Sequence, residues 1–307
     1  SVSVAYQLYT APDQELSLYA AGQSINRDSY YGAEQALDAY GNTRDFSFSA
    51  GSQYKIVSGS NNLIFGAEMN GGRLEDKKLG YRTFEFDTDA DEVVGIDHPN
   101  TRVADQRTAI AGIFSQWERR MGAFSVSAGL RLDHYTISDD LSSTADLSNS
   151  VLSPRINVLY GIDKNLQARI SFAKGYRAPQ IFDEDLHIET STARQVFHVN
   201  DPDLKQETSH SYMGSLSYQI QGVKSNLELL AEFFYTNLKN PFANEFGEPD
   251  DNGVVVYTRV NEEEGAVVKG VNLEATWLPS PRWRFNGSYT FQSSKFGAPQ
   301  EFAETRF

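Results

Sequence analysis

"AFSVSAGLRLDHYT", Ala123–Thr136, decides the fold. Phe124, Val126, Ala128, Leu130 and Leu132 recur at every second position, and Ser125, Ser127, Arg131 and Asp133 stand between them. Alternation of this kind marks an extended strand, because successive Cβ atoms point to opposite faces of a sheet. One face is apolar along its length and the other carries charge. The same division appears in "NLELLAEFFYT" at 226–236, where Leu227, Leu229, Ala231, Phe233 and Tyr235 oppose Glu228, Glu232 and Thr236. In "RWRFNGSYTFQ" at 282–292, Trp283, Phe285, Tyr289 and Phe291 oppose Arg284, Asn286, Ser288, Thr290 and Gln292.

Outward from that stretch, period-two alternation predicts twelve strands, at 2–10, 15–28, 44–57, 62–77, 105–118, 122–137, 152–162, 166–176, 207–220, 226–239, 254–278 and 282–296. Short turns follow the odd strands: "APDQ", "GSNN", "RRMG", "DKN", "QGVKS" and "PSPR". Long connections follow the even ones, at 29–43, 78–104, 138–151, 177–206 and 240–253. A soluble sandwich has no reason to gather its long loops at one end. A transmembrane barrel does, with short periplasmic turns and long extracellular loops.

Strand length agrees, since a tilted membrane strand needs ~9–11 residues. Aromatic residues near strand ends (Tyr54, Trp117, Tyr135, Tyr160, Tyr176, Tyr235, Trp277 and Trp283) suit interfacial girdles. On the second face, Glu68, Arg131, Asp133, Arg155, Arg169, Glu228, Glu232, Glu274 and Arg284 would each need a buried partner in a dry core. Facing a wet lumen or a polar plug, they cost little. The expected fold is all-β, a transmembrane antiparallel up-and-down β-barrel.

Composition fits that reading. Aromatics make up 12% of the 307 residues although mean hydropathy is −0.47, a pairing natural to strands with one apolar face. No cysteine is present, which excludes disulfides and thiolate metal sites. A net charge of −14 argues against a nucleic-acid partner. No apolar run approaches the ~18 residues of a membrane-spanning helix. Ser1 already opens a strand-like stretch and the chain stops at "EFAETRF". Both ends therefore read as cuts, and 1–307 is expected to be part of a barrel domain without a plug domain.

Several motifs stand out along these strands and their connections. "GYRAP" spans Gly175–Pro179, and "NDPDLKQETSHSY" spans Asn200–Tyr212. "FFYTNLKNPF" at 233–242 precedes "YTRVNEEEGAVVKGVNLEATW" at 257–277, and "LSPRINVLY" occupies 152–160. In order, spacing and hairpin context they resemble the barrel of the TonB-dependent outer-membrane receptors. Asn272-Leu273-Glu274 departs from the family's commoner Gly-Val-Glu. The resemblance covers nearly the whole chain. It implies about the sixth to seventeenth strands of a 22-stranded barrel, placed in the bacterial outer membrane. It also implies active import of a solute too large for porins, with TonB as partner through a plug domain.

Import needs no covalent chemistry, and no Gly-rich phosphate loop, HExxH or Gly-x-Ser-x-Gly appears. Site residues are therefore sought among binding groups of the extracellular loops: Tyr81, Arg82, Arg177, Asp183, Asp185, His187 and Arg194. Arg102 and Lys205 stand near enough to join a cationic pocket with Arg82, Arg177 and Arg194. The histidines at 98, 134, 187, 198 and 210 show no tight ligand spacing.

Acids gather in "EFDTDADE" at 85–92, "FDEDLH" at 182–187, "GEPDDNG" at 247–253 and "NEEEG" at 261–265. One reading is a solvated surface that bridges divalent ions to lipopolysaccharide. The other is capture of Ca²⁺, a cation that favours several oxygen ligands, by Asp87, Asp89 and Asp91. In an extended strand these three share one side. The expected load is a small-molecule metal chelate of the ferric siderophore class, with cobalamin as the alternative. A passive porin-like barrel is a further alternative, followed by a barrel acting as adhesin or enzyme. Acidic loops disfavour anionic ferric catecholates and favour neutral or cationic loads.

Overall fold

A computed structural model of the chain describes residues 1–30, 36–87, 92–141, 146–179, 196–222, 225–247 and 255–297. In chain order the first strands are β1 (Val2–Ala11), β2 (Gln14–Tyr30), β3 (Tyr40–Ser58), β4 (Asn61–Lys78), β5 (Tyr81–Asp87) and β6 (Glu92–His98). Next come β7 (Thr101–Met121), β8 (Phe124–Asp139), β9 (Leu147–Gly161), β10 (Leu166–Arg177), β11 (Val196–Asn200) and β12 (Glu207–Gln221). The last are β13 (Asn226–Lys239), β14 (Phe242–Phe246), β15 (Val255–Asn261), β16 (Ala266–Ser280) and β17 (Trp283–Phe296).

Twelve of these form one sheet in the order β1-β2-β3-β4-β7-β8-β9-β10-β12-β13-β16-β17. Each pairs antiparallel with its neighbours, and the spatial order follows the chain, which is up-and-down topology. β1 and β17 have one neighbour each among the described residues, so the wall is open between them. All twelve expected wall strands are present.

Two expectations need correction. The run 254–278 is two elements, because the chain turns at Glu262–Gly265. Gly265 takes φ +71°, a left-handed conformation, and a Cβ there would lie 2.5 Å from the Leu238 carbonyl oxygen. β15 therefore leaves the wall, and β16 alone is its next strand. The long connections are also not wholly loops. β5 and β6 pair as a hairpin, and β11-β15-β14 make a small sheet in which β11 and β15 run parallel.

Register carries the alternation from strand to strand. Phe172, Tyr212 and Tyr235 are successive partners on one face. On the other, Arg169 faces Ser215, Ser215 faces Glu232, Glu232 faces Asn272 and Asn272 faces Thr290. Ile113, Ile170, Phe233, Tyr289 and Phe291 stay exposed on the apolar face. Such a surface suits lipid, and the polar face then lines the lumen. The ladder satisfies the backbone groups that hydrocarbon cannot.

Most expected girdle residues are on the lipid face, and Tyr54–Phe65, Phe124–Tyr160 and Trp277–Phe285 rings pair there with centroids 5.5, 4.5 and 5.7 Å apart. Tyr135 and Tyr176 are the exceptions. They stack on each other at 6.1 Å on the lumen side, because β10 parts from β9 after Ala173↔Arg155 and Tyr176 turns into the gap. β3, β4 and β7 have 19, 18 and 21 residues, so their loop-side ends project well beyond the membrane.

Candidate functional site: the lumen wall and extracellular mouth

One row of cross-strand partners, Tyr19, Gly51, Glu68, Gly112, Asp133 and Val151, lines the lumen from β2 to β9. The two glycines make room for their neighbours. A Cβ at Gly51 would lie 2.6 Å from the Tyr19 ring. A Cβ at Gly112 would collide with Asp133 Oδ1 and lie 2.7 Å from Arg131 Nη2. Across that gap Arg131 donates through Nε to Asp133 Oδ1 at 2.8 Å and through Nη1 to Glu68 Oε2 at 2.7 Å. Asn70 donates to the other Glu68 oxygen at 3.0 Å, and the guanidinium lies 5.8 Å from the Phe114 ring centre. Charge on this wall is thus fixed in position by hydrogen bonds.

Nearer the mouth the sequence motifs meet. Ala178 and Pro179 of the Arg-Ala-Pro stretch are buried, with Ala178 in a cluster with Tyr135, Ile137 and Val151. The ladder ends at Arg177, and the proline two residues on has no N–H with which to extend it. Tyr135 donates its hydroxyl to Gln206 Oε1 at 2.9 Å, and Asn149 donates to the same oxygen at 3.0 Å.

The Asn-Asp-Pro-Asp-Leu-Lys stretch is a turn in which Asp203 N donates to Asp201 Oδ1 at 2.7 Å. Asn261 clamps it. Its Oδ1 accepts from Lys205 N at 2.7 Å, and its Nδ2 donates to the carbonyls of Lys205 and Asn240, both at 2.9 Å. Asn240 takes φ +52°, a conformation asparagine tolerates well. The motifs are therefore the joinery of the mouth.

A second fixture stands on the outer face, above the membrane band. Asp105 is fully buried, and Arg73 grips it with Nε–Oδ1 at 2.9 Å and Nη2–Oδ2 at 2.8 Å. Arg102 adds a contact at 2.9 Å, and Arg107 pairs with Asp140 at 3.1 Å. The Arg73 hydrogen bonds, helped by the charges of Arg73, Arg102 and Arg107, outweigh burial and hold the Asp105 carboxyl below its ordinary pKa.

The predicted site residues are only partly brought together. Tyr81 stacks on His98 at 4.3 Å, and Arg82 pairs with Asp97 at 3.3 Å while lying over Phe84. Arg177 ends β10 opposite Glu207. Asp183, Asp185, His187, Arg194, Asp89 and Asp91 lie outside the described residues, and Asp87 is described only as the last residue of β5, facing Glu92. Among the described residues no group of three or more His, Asp or Glu is placed to hold a metal ion. Arg82 and Arg102 each pair with an acid of their own, Asp97 and Asp105. Gln206, Asn261 and Asp105 carry the mouth and were not singled out from sequence, because each acts through a partner more than thirty residues away.

The model of the family described as TonB dependent receptor-like, beta-barrel, matches residues 1–306. The chain belongs to that family. TonB-dependent receptors are outer-membrane proteins of Gram-negative bacteria. No curated protein matches the sequence. Among solved structures, the FrpB iron transporter from Neisseria meningitidis is similar at 14% identity and a TM-score of 0.68, over 96% of this chain and 44% of that one. The copper transporter OprC is similar at 14% identity and 0.68, over 96% and 46%. The ferric-catecholate import receptor Fiu from E. coli K12 is similar at 15% identity and 0.62, over 98% and 48%. At such identity these receptors share the fold with this chain, which spans less than half the length of each.

Proposed function

We propose that the chain is the wall of a TonB-dependent receptor that imports a scarce metal-bearing nutrient of the ferric siderophore class across the outer membrane. Energy comes from the inner membrane through TonB, acting on a plug domain within the lumen. The observation that carries this reading is the mouth. The family's motifs are bonded into one rigid rim above a lumen face whose charges are fixed by hydrogen bonds. A rim of this kind presents long outer loops to a solute while holding the wall still, which suits binding more than catalysis.

Cobalamin is the second reading, favoured by the pairing of Arg82 with Asp97 and of Arg102 with Asp105. Those pairs remove positive charge that an anionic catecholate would need. Calorimetric titration of the full-length receptor with neutral and anionic ferric siderophores, and with cyanocobalamin, separates the readings. Tight binding of a ferric siderophore is the expected result. Binding of cyanocobalamin alone selects the second reading, and binding of none overturns both. Ca²⁺ is proposed to act at Asp87, Asp89 and Asp91. Replacing all three with alanine should abolish any Ca²⁺ dependence of binding, and an unchanged dependence contradicts the assignment.

A further inference from the structure

On five consecutive wall strands, β10, β12, β13, β16 and β17, the lipid-facing positions hold no aspartate or glutamate. The acids of these strands, Glu207, Glu228, Glu232 and Glu274, alternate onto the lumen face. The lipid face does hold basic residues, and all of them stand at its loop-side end. Lys174 faces His210 directly, and Lys239 stands two residues beyond Asn237, the partner of His210. Lys269 and Lys295 continue the row on β16 and β17, at diagonal positions.

In the ladder Lys174 and Lys239 stand on the two strands that flank His210. Phe172, Tyr212 and Tyr235 stand level with Lys269, and with Val271 and Phe291 one step further in they form the upper edge of the apolar band. Among the described residues none of the five basic side chains is in an ion pair. Glu264, in the turn before β16, lines the same small cleft as Lys295 without reaching ion-pair distance.

In a chain of net charge −14, a one-sided basic row along the rim of an apolar band needs a physical reason. Solubility does not supply one, because acids serve that purpose elsewhere in the chain. Position does. A base at the membrane midplane costs ~2–4 kcal/mol but only ~0–1 near the interface, where long lysines also reach outward to polar headgroups. Anions are available there as the phosphates of outer-leaflet lipids, and clustered lysines attract such headgroups.

We infer that Lys174, His210, Lys239, Lys269 and Lys295 form a binding site for the phosphates of an outer-leaflet glycolipid, the bisphosphorylated lipid A moiety of lipopolysaccharide, whose acyl chains lie along the apolar band beneath. This assigns lipopolysaccharide contact to a basic row on the wall, apart from the acidic loops and their divalent ions. The inference rests on the membrane orientation of the wall and is independent of the solute imported.

The test is native mass spectrometry of full-length receptor in mild detergent, titrated with bisphosphorylated lipid A and with its dephosphorylated form. The dephosphorylated lipid should bind at least ~10-fold more weakly. A variant combining Lys174→Gln, Lys239→Gln, Lys269→Gln and Lys295→Gln should lose the same factor, while lumen-facing Glu228→Gln retains wild-type lipid binding. A heat-sensitive gel shift reports that each variant has a folded barrel, and retained solute binding shows that the import site is untouched. Equal binding of the two lipids by the wild type overturns the site, whatever the folding of the variant. Wild-type lipid binding by a folded quadruple variant overturns it as well.

Discussion

Gly112 illustrates how much a single missing side chain can decide. Asp133 and Glu68 flank it in the row, and Arg131 lies across it. Gly112→Ala drives the Asp133 carboxylate off Arg131, and overpacking of this sort costs ~1–3 kcal/mol. Urea unfolding of the receptor in lipid vesicles should show that loss, whereas Gly287→Ala, with open space at its Cβ, should leave the midpoint unchanged.

Asp105 makes a prediction in pH. Its folded pKa lies below the unfolded value of ~3.9, so its contribution is fully present above that value. It is lost as pH falls through the folded pKa. Protection factors of amides in the projecting ends of β4 and β7, which remove the intrinsic pH dependence of exchange, should therefore fall below about pH 3.9 and stay constant from there to neutrality. Asp105→Asn should lower the same protection factors already at neutral pH. Arg73 and Arg102 are 43% and 54% exposed, so solvent screening keeps the loss well below that of a fully buried pair.

At the scale of elements, the strands were legible because alternation is a local property. A run such as Phe124–Leu132 declares its two faces without reference to its neighbours. Where a neighbour matters, legibility ends. Tyr176 reads as a girdle residue until β9 and β10 part after Ala173, and then its ring belongs with Tyr135 in the lumen. β15 looks continuous with β16 because both alternate, and only the left-handed Gly265 separates them. The site was less legible than the fold. Tyr81 and Arg82 were found on an ordered hairpin, but their partners His98 and Asp97 lie across it, and no spacing rule announces them.

The latch between Tyr135 and Gln206 tests the mouth as a unit, since it ties the 201–206 turn to β8. Tyr135→Phe removes one hydrogen bond while keeping the ring packing, a loss of ~0.5–1.5 kcal/mol. Limited proteolysis should cut the 201–206 turn faster in this variant. Gln206→Ala should have a similar effect, and the two together should cost less than their sum. Full additivity would mean that the hydrogen bond does not couple them.

For the whole molecule, one face of the wall suits lipid and the other suits a lumen, and both follow from the same period-two sequence. Apolar side chains on the outer face find their partners in the membrane, so the dry core shrinks to a small cluster around Tyr135 and Val151. Net acidity of the chain and the basic row on β10–β17 are compatible because register sorts charge by face. If the wall belongs to an importer driven by TonB, as proposed, cells carrying the full-length receptor stop taking up a bound, radiolabelled metal chelate when the proton gradient is collapsed, while surface binding persists. Uptake that continues at the same rate after the collapse rules out TonB-driven import and leaves a passive barrel in its place.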